Sequence, residues 1–286
     1  LQQIEIEQIE LNLLLEALYQ RYGYDFRHYS QASIKRRLQY HLAKTPHTSI
    51  SALIPEILYN EAACQALLFD ISVTVTEMFR DAWVYLAIRE KVIPLLRTYP
   101  FINVWHAGCA TGEEVYSLAI LLQEEGLSDR VRIYATDFND VALQKAKTRI
   151  YPLKRMKEYS QSYQQAGGKS SLADYYHAHY DSVIMNESLQ QNITFANHNL
   201  ATDGSFGEMH LIFCRNVLIY FNQTLQNRAL TLFRDSLCYN GFLCLGTKET
   251  LRFSEVEHEF NPFVESERIY QCKYQKPNGS IFNTGQ

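Results

Sequence analysis

A run of small residues, Trp105-His-Ala-Gly-Cys-Ala-Thr-Gly-Glu-Glu114, holds the first chemistry to be read in the chain. Gly108 and Gly112 bracket Ala110, and side chains this small let a backbone turn sharply and let a ligand lie against it. The pattern is G-x-A-x-G, whereas a dinucleotide-binding turn has G-x-G-x-x-G. Glu113 and Glu114 follow at once, and carboxylates at the mouth of a helix repel a pyrophosphate. The expected ligand is a nucleoside without phosphates, and a cationic one suits the two acids. Asp137, about 25 residues further on, stands where an acid accepts hydrogen bonds from ribose hydroxyls. The same Asp-x-Asn-Asp140 spacing also suits a helix cap.

Elements of alternating type must position these groups. Phe101–His106 reads as a strand, Ala107–Gly112 as a turn and Glu113–Glu125 as a helix. Val131–Thr136 is a second strand and Asp140–Arg149 a second helix. Met209–Cys214, Gly241–Leu245 and Arg268–Tyr274 are further strands, with a helix at Gln223–Leu237. Strands alternating with helices of this length predict a mostly parallel α/β sheet. In strand–turn–helix–strand order, the turn, the acids and Asp137 point to an S-adenosylmethionine fold. The stretch 158–198 breaks the rhythm: Gln161–Ser171 is polar and contains Gly167-Gly168, a loop signature, and Tyr175–Met185 and Ile193–Asn197 resemble short antiparallel strands. Upstream, the first ~70 residues read as helices. Leu11, Leu14, Leu15 and Leu18 form one stripe, stopped by Gly23; helices are also expected over 31–44 and 50–69. The expected domains are 1–70, helical; 71–275, α/β with an insertion at about 158–195; and a tail at 276–286.

Composition narrows the classes. Of 286 residues, 47% are hydrophobic and 20% charged, enough apolar material for a large core. With 27 basic and 31 acidic residues the net charge is −4, which argues against a general polyanion binder. No apolar run approaches the length needed to span a bilayer, so no membrane insertion is expected. The chain opens at Leu1 without a leader pattern, which is read as a trimmed chain or a fragment. The six cysteines form no Cys-x-x-Cys pair and sit in apolar stretches, as buried reduced thiols do. His177 and His179 lack a third ligand at useful spacing, and no metal is expected.

Four segments carry a family resemblance: Ser72-Val-Thr-Val-Thr-Glu-Met-Phe-Arg-Asp81, Ala107-Gly-Cys-Ala-Thr-Gly-Glu-Glu-Val-Tyr-Ser117, Ala135-Thr-Asp-Phe-Asn139 and Ile212-Phe-Cys-Arg-Asn-Val-Leu-Ile-Tyr-Phe221. In this order they resemble the CheR-type chemotaxis receptor methyltransferases, over nearly the whole chain to about Tyr274. The resemblance implies a class I S-adenosylmethionine-dependent methyltransferase domain, Rossmann-like and α/β, with a small inserted β-subdomain and a small all-α N-terminal domain before it. It implies methylation of glutamate side chains on the cytoplasmic helices of chemoreceptors, with S-adenosylmethionine as donor and S-adenosylhomocysteine as product, in the cytoplasm and by a monomer. Thr74, Thr76 and Arg80 match the family's cofactor-contacting segment. Gly108, Ala110 and Glu114 match its turn and first helical acid, Asp137 its ribose-binding acid, Asn199 and Leu200 the pair beside the adenine, and Asn216 and Val217 the pair after the fourth strand. Thr74 stands where many members have Asn, and Gly246-Thr-Lys-Glu249 replaces Gly-His-Ser-Glu.

The chemistry accords with these residues. A glutamate carboxylate, of reference pKa about 4.3, is already a nucleophile at neutral pH, so displacement on a sulfonium needs no general base. A dry site that aligns the two supplies the rate. Arg80 is the expected steering group, for either the acceptor glutamate or the cofactor's own carboxylate. Tyr220 and Arg215 are expected along the acceptor channel. Residues 26–55 contain Arg27, Lys35, Arg36, Arg37 and Lys44 and no acid. Arg36, Arg37, His41 and Lys44 on this helix are read as a basic surface for the acidic methylation helices of the receptor, not for nucleic acid. Some members capture a receptor-tail peptide on a glycine-containing loop of the β-subdomain; Tyr175–Asn197 has no glycine, and no such dependence is expected. Two other readings are a class I methyltransferase with a small-molecule or nucleic-acid substrate, and a signalling module that binds the cofactor without catalysis.

Overall fold

The computed structural model describes residues 3–72, 76–205 and 207–275. Four helices open it: α1 (Gln3–Tyr22), α2 (Gln31–Leu42), α3 (Leu53–Tyr59) and α4 (Glu61–Ile71). The Leu11, Leu14, Leu15 and Leu18 stripe is buried against Ile34, Leu38, Leu53, Ile57 and Leu67, one apolar core for the four helices. Gly23, at φ +79°, ends α1. The single helix expected over 50–69 is two, because the Asn60 side chain accepts from the N–H groups of Ala62 and Ala63 and starts α4 afresh.

The rest is built on β1 (Ile102–Ala107), β2 (Val131–Asp137), β3 (Ile150–Pro152), β4 (Tyr176–His179), β5 (Ser182–Met185), β6 (Ile193–Asn197), β7 (Met209–Cys214), β8 (Leu237–Leu245), β9 (Phe260–Val264) and β10 (Ile269–Cys272). The helices are α5 (Ala82–Ala87), α6 (Ile93–Leu96), α7 (Glu113–Glu124), α8 (Asp140–Thr148), α9 (Met156–Gln165), α10 (Glu187–Gln190) and α11 (Gln223–Ser236). Seven strands form one sheet in the order β6-β2-β1-β7-β8-β10-β9. The first five are parallel, and β10 runs antiparallel to both its neighbours. Successive residues of a strand face opposite sides. Val104 therefore joins a core with the Val84–Leu96 stretch and α7, while Trp105 and Ala107 join another with Leu230 and Phe233 of α11. The strand order reverses between β1 and β7, and ligands of such sheets bind beyond the carboxyl ends at that point.

The insertion departs from its expected form. Ile193–Asn197 pairs parallel with β2, Ile133 opposite Ile193, and so belongs to the large sheet. The small antiparallel sheet, β3-β5-β4, instead recruits Ile150–Pro152. The polar stretch expected as loop from Gln161 is helical to Gln165, since Tyr159 and Tyr163 bury one face of α9. β9 was missed altogether: with Pro262 and two exposed residues it is an edge strand, and it carries a weak pattern. A π-helical stretch, Ile88–Val92, turns Arg89 onto both Glu124 and Glu125, 2.6 Å from each. Glu124 also accepts from the Tyr163 and Tyr175 hydroxyls, which ties the inserted elements to α7. Among the described residues no helix is long and apolar enough to cross a membrane.

Candidate active site

A cleft with about 920 Å³ of empty space lies beyond the carboxyl ends of β1, β2 and β7, walled on its far side by α2 and the segment before it. The glycine turn forms its floor. Gly108, Ala110 and Gly112 all have positive φ, +72°, +48° and +89°. The N–H groups of Gly108 and Cys109 both donate to the Thr136 carbonyl, at 2.8 and 2.9 Å. A Cβ on Gly108 would stand 2.5 Å from Cγ2 of Val217, so the turn is pressed against the loop after β7.

Asp137 ends β2 at the cleft wall. Its Oδ2 accepts from Ala110 N and its Oδ1 from Asn139 N, each at 2.9 Å. Burial raises its pKa above the ordinary carboxylate value, opposed by those same N–H donors. The cap of α8 is Asn139, whose Oδ1 accepts from Ala142 N, so Asp137 is not needed as one. The two acids after the turn part company. Glu114 borders the cleft, while the Glu113 carboxylate takes a 2.6 Å hydrogen bond from the Thr111 hydroxyl and is raised to about 7 by burial.

Arg80 sits between two residues in left-handed conformation, Phe79 (φ 53°) and Asp81 (φ 54°). Phe79 anchors the segment: its ring is buried against Tyr85 and Tyr163, and its N–H donates to Ser117 Oγ at 2.8 Å. Both acids near Arg80 in sequence are engaged elsewhere, Glu77 with Arg155 at 3.1 Å and Asp81 with Arg215 at 2.5 Å. No carboxylate among the described residues is ion-paired with the Arg80 guanidinium, which borders the cleft together with Thr76. Thr74 lies outside the described residues.

Arg215 borders the cleft as Tyr220 does, but its side chain is committed to buried partners. Its side chain is 0% exposed and is held by Glu114, Asp81 and the Arg80 carbonyl, the last at 2.9 Å. Burial alone would lower its pKa; Glu114 and Tyr85 reverse that and raise it. For Glu114 burial is the larger effect and raises the pKa, opposed by Arg215 and then Arg80. Arg215 is therefore a buried strut that fixes Glu114 and the Arg80 backbone. Tyr220 does border the cleft.

Asn216, with φ 59°, and Val217 follow. The Asn216 Oδ1 is buried with no hydrogen-bond partner among the described residues. Leu200 borders the cleft, as does His198, whereas the Asn199 Oδ1 is used in a turn, accepting from Ala201 N at 2.9 Å. Glu249, the acid that the Gly246-Thr-Lys-Glu249 segment keeps from the family motif, was given no role from sequence. Its buried carboxylate accepts from the N–H groups of Gly246, Asn216, Val217 and Ile219, at 2.6, 3.0, 2.8 and 3.3 Å. Lys248 beside it is exposed, so the unfamiliar charge stays out of the site.

The helical domain completes the cleft. Ser30 N donates to the Tyr220 carbonyl at 2.6 Å and Asn222 N to the His28 carbonyl at 2.9 Å, an antiparallel stitch around Tyr29 and Phe221. Phe26, Tyr29, Phe138 and Phe221 pack edge to face along this wall. The basic surface expected on α2 is largely spent. Lys35 pairs with Glu7, and His41 and Lys44 both pair with Asp70, at 2.8 Å. Arg36 is exposed. Arg37 turns inward: Nη1 donates to the Ile71 carbonyl at 2.8 Å, and the guanidinium lies 5.1 Å over the Tyr220 ring.

This arrangement fits a nucleoside bearing an amino-acid end. Asp137 is placed for ribose hydroxyls, and Glu114 with Arg80 complements an ammonium and a carboxylate. The unsatisfied Asn216 Oδ1 is an acceptor waiting for a donor. Aromatic faces nearby suit a sulfonium. Among the described residues no three His, Cys, Asp or Glu side chains are grouped to hold a metal ion.

Comparison with known proteins agrees. Residues 74–267 match the family "CheR methyltransferase, SAM binding domain" and residues 9–72 match "CheR methyltransferase, all-alpha domain". A Pseudomonas putida protein named "Putative methyltransferase Cher3" is 52% identical over 92% of this chain and 96% of its own length. The "Chemotaxis protein methyltransferase" of Salmonella typhimurium is 27% identical over 96% of this chain and 94% of its own. That of Borreliella burgdorferi is 28% identical over 87% and 90%.

Proposed function

The chain belongs to the CheR methyltransferase family and uses S-adenosylmethionine, and on that premise we propose that it methylates glutamate side chains on the cytoplasmic helices of a chemoreceptor. The products are glutamate methyl esters and S-adenosylhomocysteine, formed in the cytoplasm during sensory adaptation. The observation that carries the reading is one cleft that combines Asp137, Glu114 and the unsatisfied Asn216 with two cationic groups on its walls, Arg80 and Arg37.

The bound cofactor supplies an electrophilic methyl on sulfur. The protein's part is binding and alignment. Asp137 and Asn216 would hold the nucleoside, and Glu114 and Arg80 would hold its amino-acid end. An acceptor glutamate is ionised at neutral pH, so the site needs no general base. Attack of the carboxylate on a sulfonium neutralises both charges, and a cleft walled in part by aromatic rings favours that change over bulk water.

Recognition of the receptor on this reading uses the exposed Arg36 and what remains of the α2 charge beside it. The β-subdomain turn between β4 and β5 is made by Tyr180 and Asp181, with no glycine. The enzyme does not depend on a receptor-tail peptide; micromolar binding of such a peptide in a titration would count against this.

The test is a transfer assay with methyl-labelled S-adenosylmethionine and receptor-containing membranes. Protein-bound label that mild base releases as methanol supports carboxyl methylation. Label that survives base, or no label while calorimetry shows cofactor binding, overturns it.

A further inference from the structure

Arg80 is presented by a backbone that its neighbours would not adopt unaided. Phe79 and Asp81 have φ of 53° and 54°. The left-handed region is sterically unfavourable for a side chain as large as Phe, and such conformations persist only where surrounding contacts impose them. Two hydrogen bonds from distant elements do so here. The Arg80 carbonyl accepts from Arg215 Nη1 at 2.9 Å. On the other side, the Phe79 N–H donates to Oγ of Ser117 at 2.8 Å, 38 residues further along the chain.

Ser117 lies on α7 and is 0% exposed. A serine inside a helix commonly satisfies its hydroxyl on the carbonyl four residues back, and Ser117 donates to the Glu113 carbonyl at 2.8 Å. That bond uses the hydroxyl's hydrogen and orients the group. The oxygen keeps its lone pairs, and the Phe79 N–H takes one of them. The helix itself does not need the first bond, since alanine is the better helix former. What the hydroxyl adds is the second bond, between α7 and the Arg80 segment.

The position of Ser117 on α7 gives that bond a consequence for the cleft. Glu114 and Ser117 are three residues apart and so are neighbours on one helical face. The Glu114 carboxylate borders the cleft, held by the Tyr85 hydroxyl at 3.2 Å and by Arg215. One turn of α7 therefore carries the acid and, through Phe79, fixes where the Arg80 side chain starts. Arg215 joins the two from the far side, because it binds both the Glu114 carboxylate and the Arg80 carbonyl. We infer that Ser117 is a positioning residue that sets the separation of Glu114 from Arg80, and through it the preference for a nucleoside with a zwitterionic amino-acid end over the same nucleoside without one. This rests on the reading of Glu114 and Arg80 as the groups for that end.

The experiment is calorimetry on the intact protein with two ligands. One is S-adenosylhomocysteine; the other is 5′-methylthioadenosine, the same nucleoside thioether without the amino-acid end. Wild type is compared with Ser117→Ala, Ser117→Cys, Arg80→Ala and the double variant of Ser117→Ala with Arg80→Ala. In Ser117→Ala the affinity for S-adenosylhomocysteine should fall about tenfold, while that for methylthioadenosine stays within about twofold of wild type. In the Arg80→Ala background the serine substitution should change S-adenosylhomocysteine affinity by less than about twofold, because the group it positions is gone. Ser117→Cys nearly conserves the shape but offers a weak acceptor, so it should fall in the same direction and reports even if Ser117→Ala folds poorly. Equal losses for the two ligands overturn the assignment, since Ser117 would then support the fold as a whole. Unchanged affinities in both serine variants overturn it too, as do additive losses in the double variant. If wild type binds the two ligands equally, Glu114 and Arg80 do not hold an amino-acid end, and the reading beneath the assignment fails first.

Discussion

The carboxylate of Glu249 lies 2.8 Å from the backbone nitrogen of Val217, 32 residues before it, and accepts its hydrogen bond. Three more N–H groups point at the same side chain, and together they hold the loop after β7 in the shape that presents Asn216. Replacing Glu249 by Ala leaves these donors buried without acceptors. A loss of about 2–4 kcal/mol of stability is expected. Cofactor affinity should fall roughly tenfold, because Val217 is also the surface on which Gly108 rests. Glu249→Gln, which keeps one acceptor oxygen, should lose less on both counts. Urea unfolding and calorimetry on the two variants decide this. A cofactor affinity that stays at the wild-type value in Glu249→Ala would falsify the clamp.

Arg215 and Glu114 are both buried, and each compensates the other. Removing one partner of a buried pair leaves an uncompensated charge and typically costs about 3–5 kcal/mol. Arg215→Leu should therefore show a lowered denaturation midpoint as well as weak activity, whereas Arg215→Leu with Glu114→Gln recovers much of the stability but not the activity. Independent, additive stability losses in the double variant would contradict the coupling.

Arg80 differs because no ion pair among the described residues depends on its side chain. Arg80→Ala should change stability by no more than about 0.5 kcal/mol. Methyl transfer should nonetheless vanish and cofactor affinity drop by about tenfold to a hundredfold, the worth of a charged hydrogen bond. Turnover at the wild-type rate would remove Arg80 from the site.

Glu113 carries a pH signature. Its pKa rises from an ordinary 4.5 to about 7 in the fold because burial disfavours its charge. The folded state therefore holds a proton that the unfolded state has lost, between those two values. Stability from this group is present below the ordinary pKa and is lost as pH climbs through about 7, by about 3 kcal/mol at most. Glu113→Gln should flatten that decline while keeping an oxygen for the Thr111 hydroxyl. Unfolding free energies at about pH 5 and pH 8 measure it: parallel profiles for wild type and variant would rule the effect out.

Much of this site was legible in local sequence. A strand followed by Gly108-Cys-Ala-Thr-Gly112 and a helix, with Asp137 at the end of the next strand, already specifies a nucleoside-binding corner. A parallel strand pair with its crossover allows little else: the turn needs its small residues, and the acid can only stand at the strand end. The Leu11, Leu14, Leu15 and Leu18 spacing of α1 likewise reads directly as a buried face, since helical period sets which side of such a helix is dry.

Tertiary structure decided where charges go. Arg37, His41 and Lys44 share a helical face in sequence, yet Asp70 on α4 pairs with two of them and the cleft takes the third. Arg215 and Glu114 became partners, and Glu249 an acceptor for four distant N–H groups, only through contacts between elements far apart in the chain. The same holds for Ile193–Asn197, whose β-branched and aromatic pattern suits any sheet and which joins the large one because β2 leaves an edge open to it. Period and turn chemistry are properties of neighbouring residues and survive in the sequence. Pairing of buried charges and choice of strand partner are set by which surfaces meet when the domains close, and no local pattern records that.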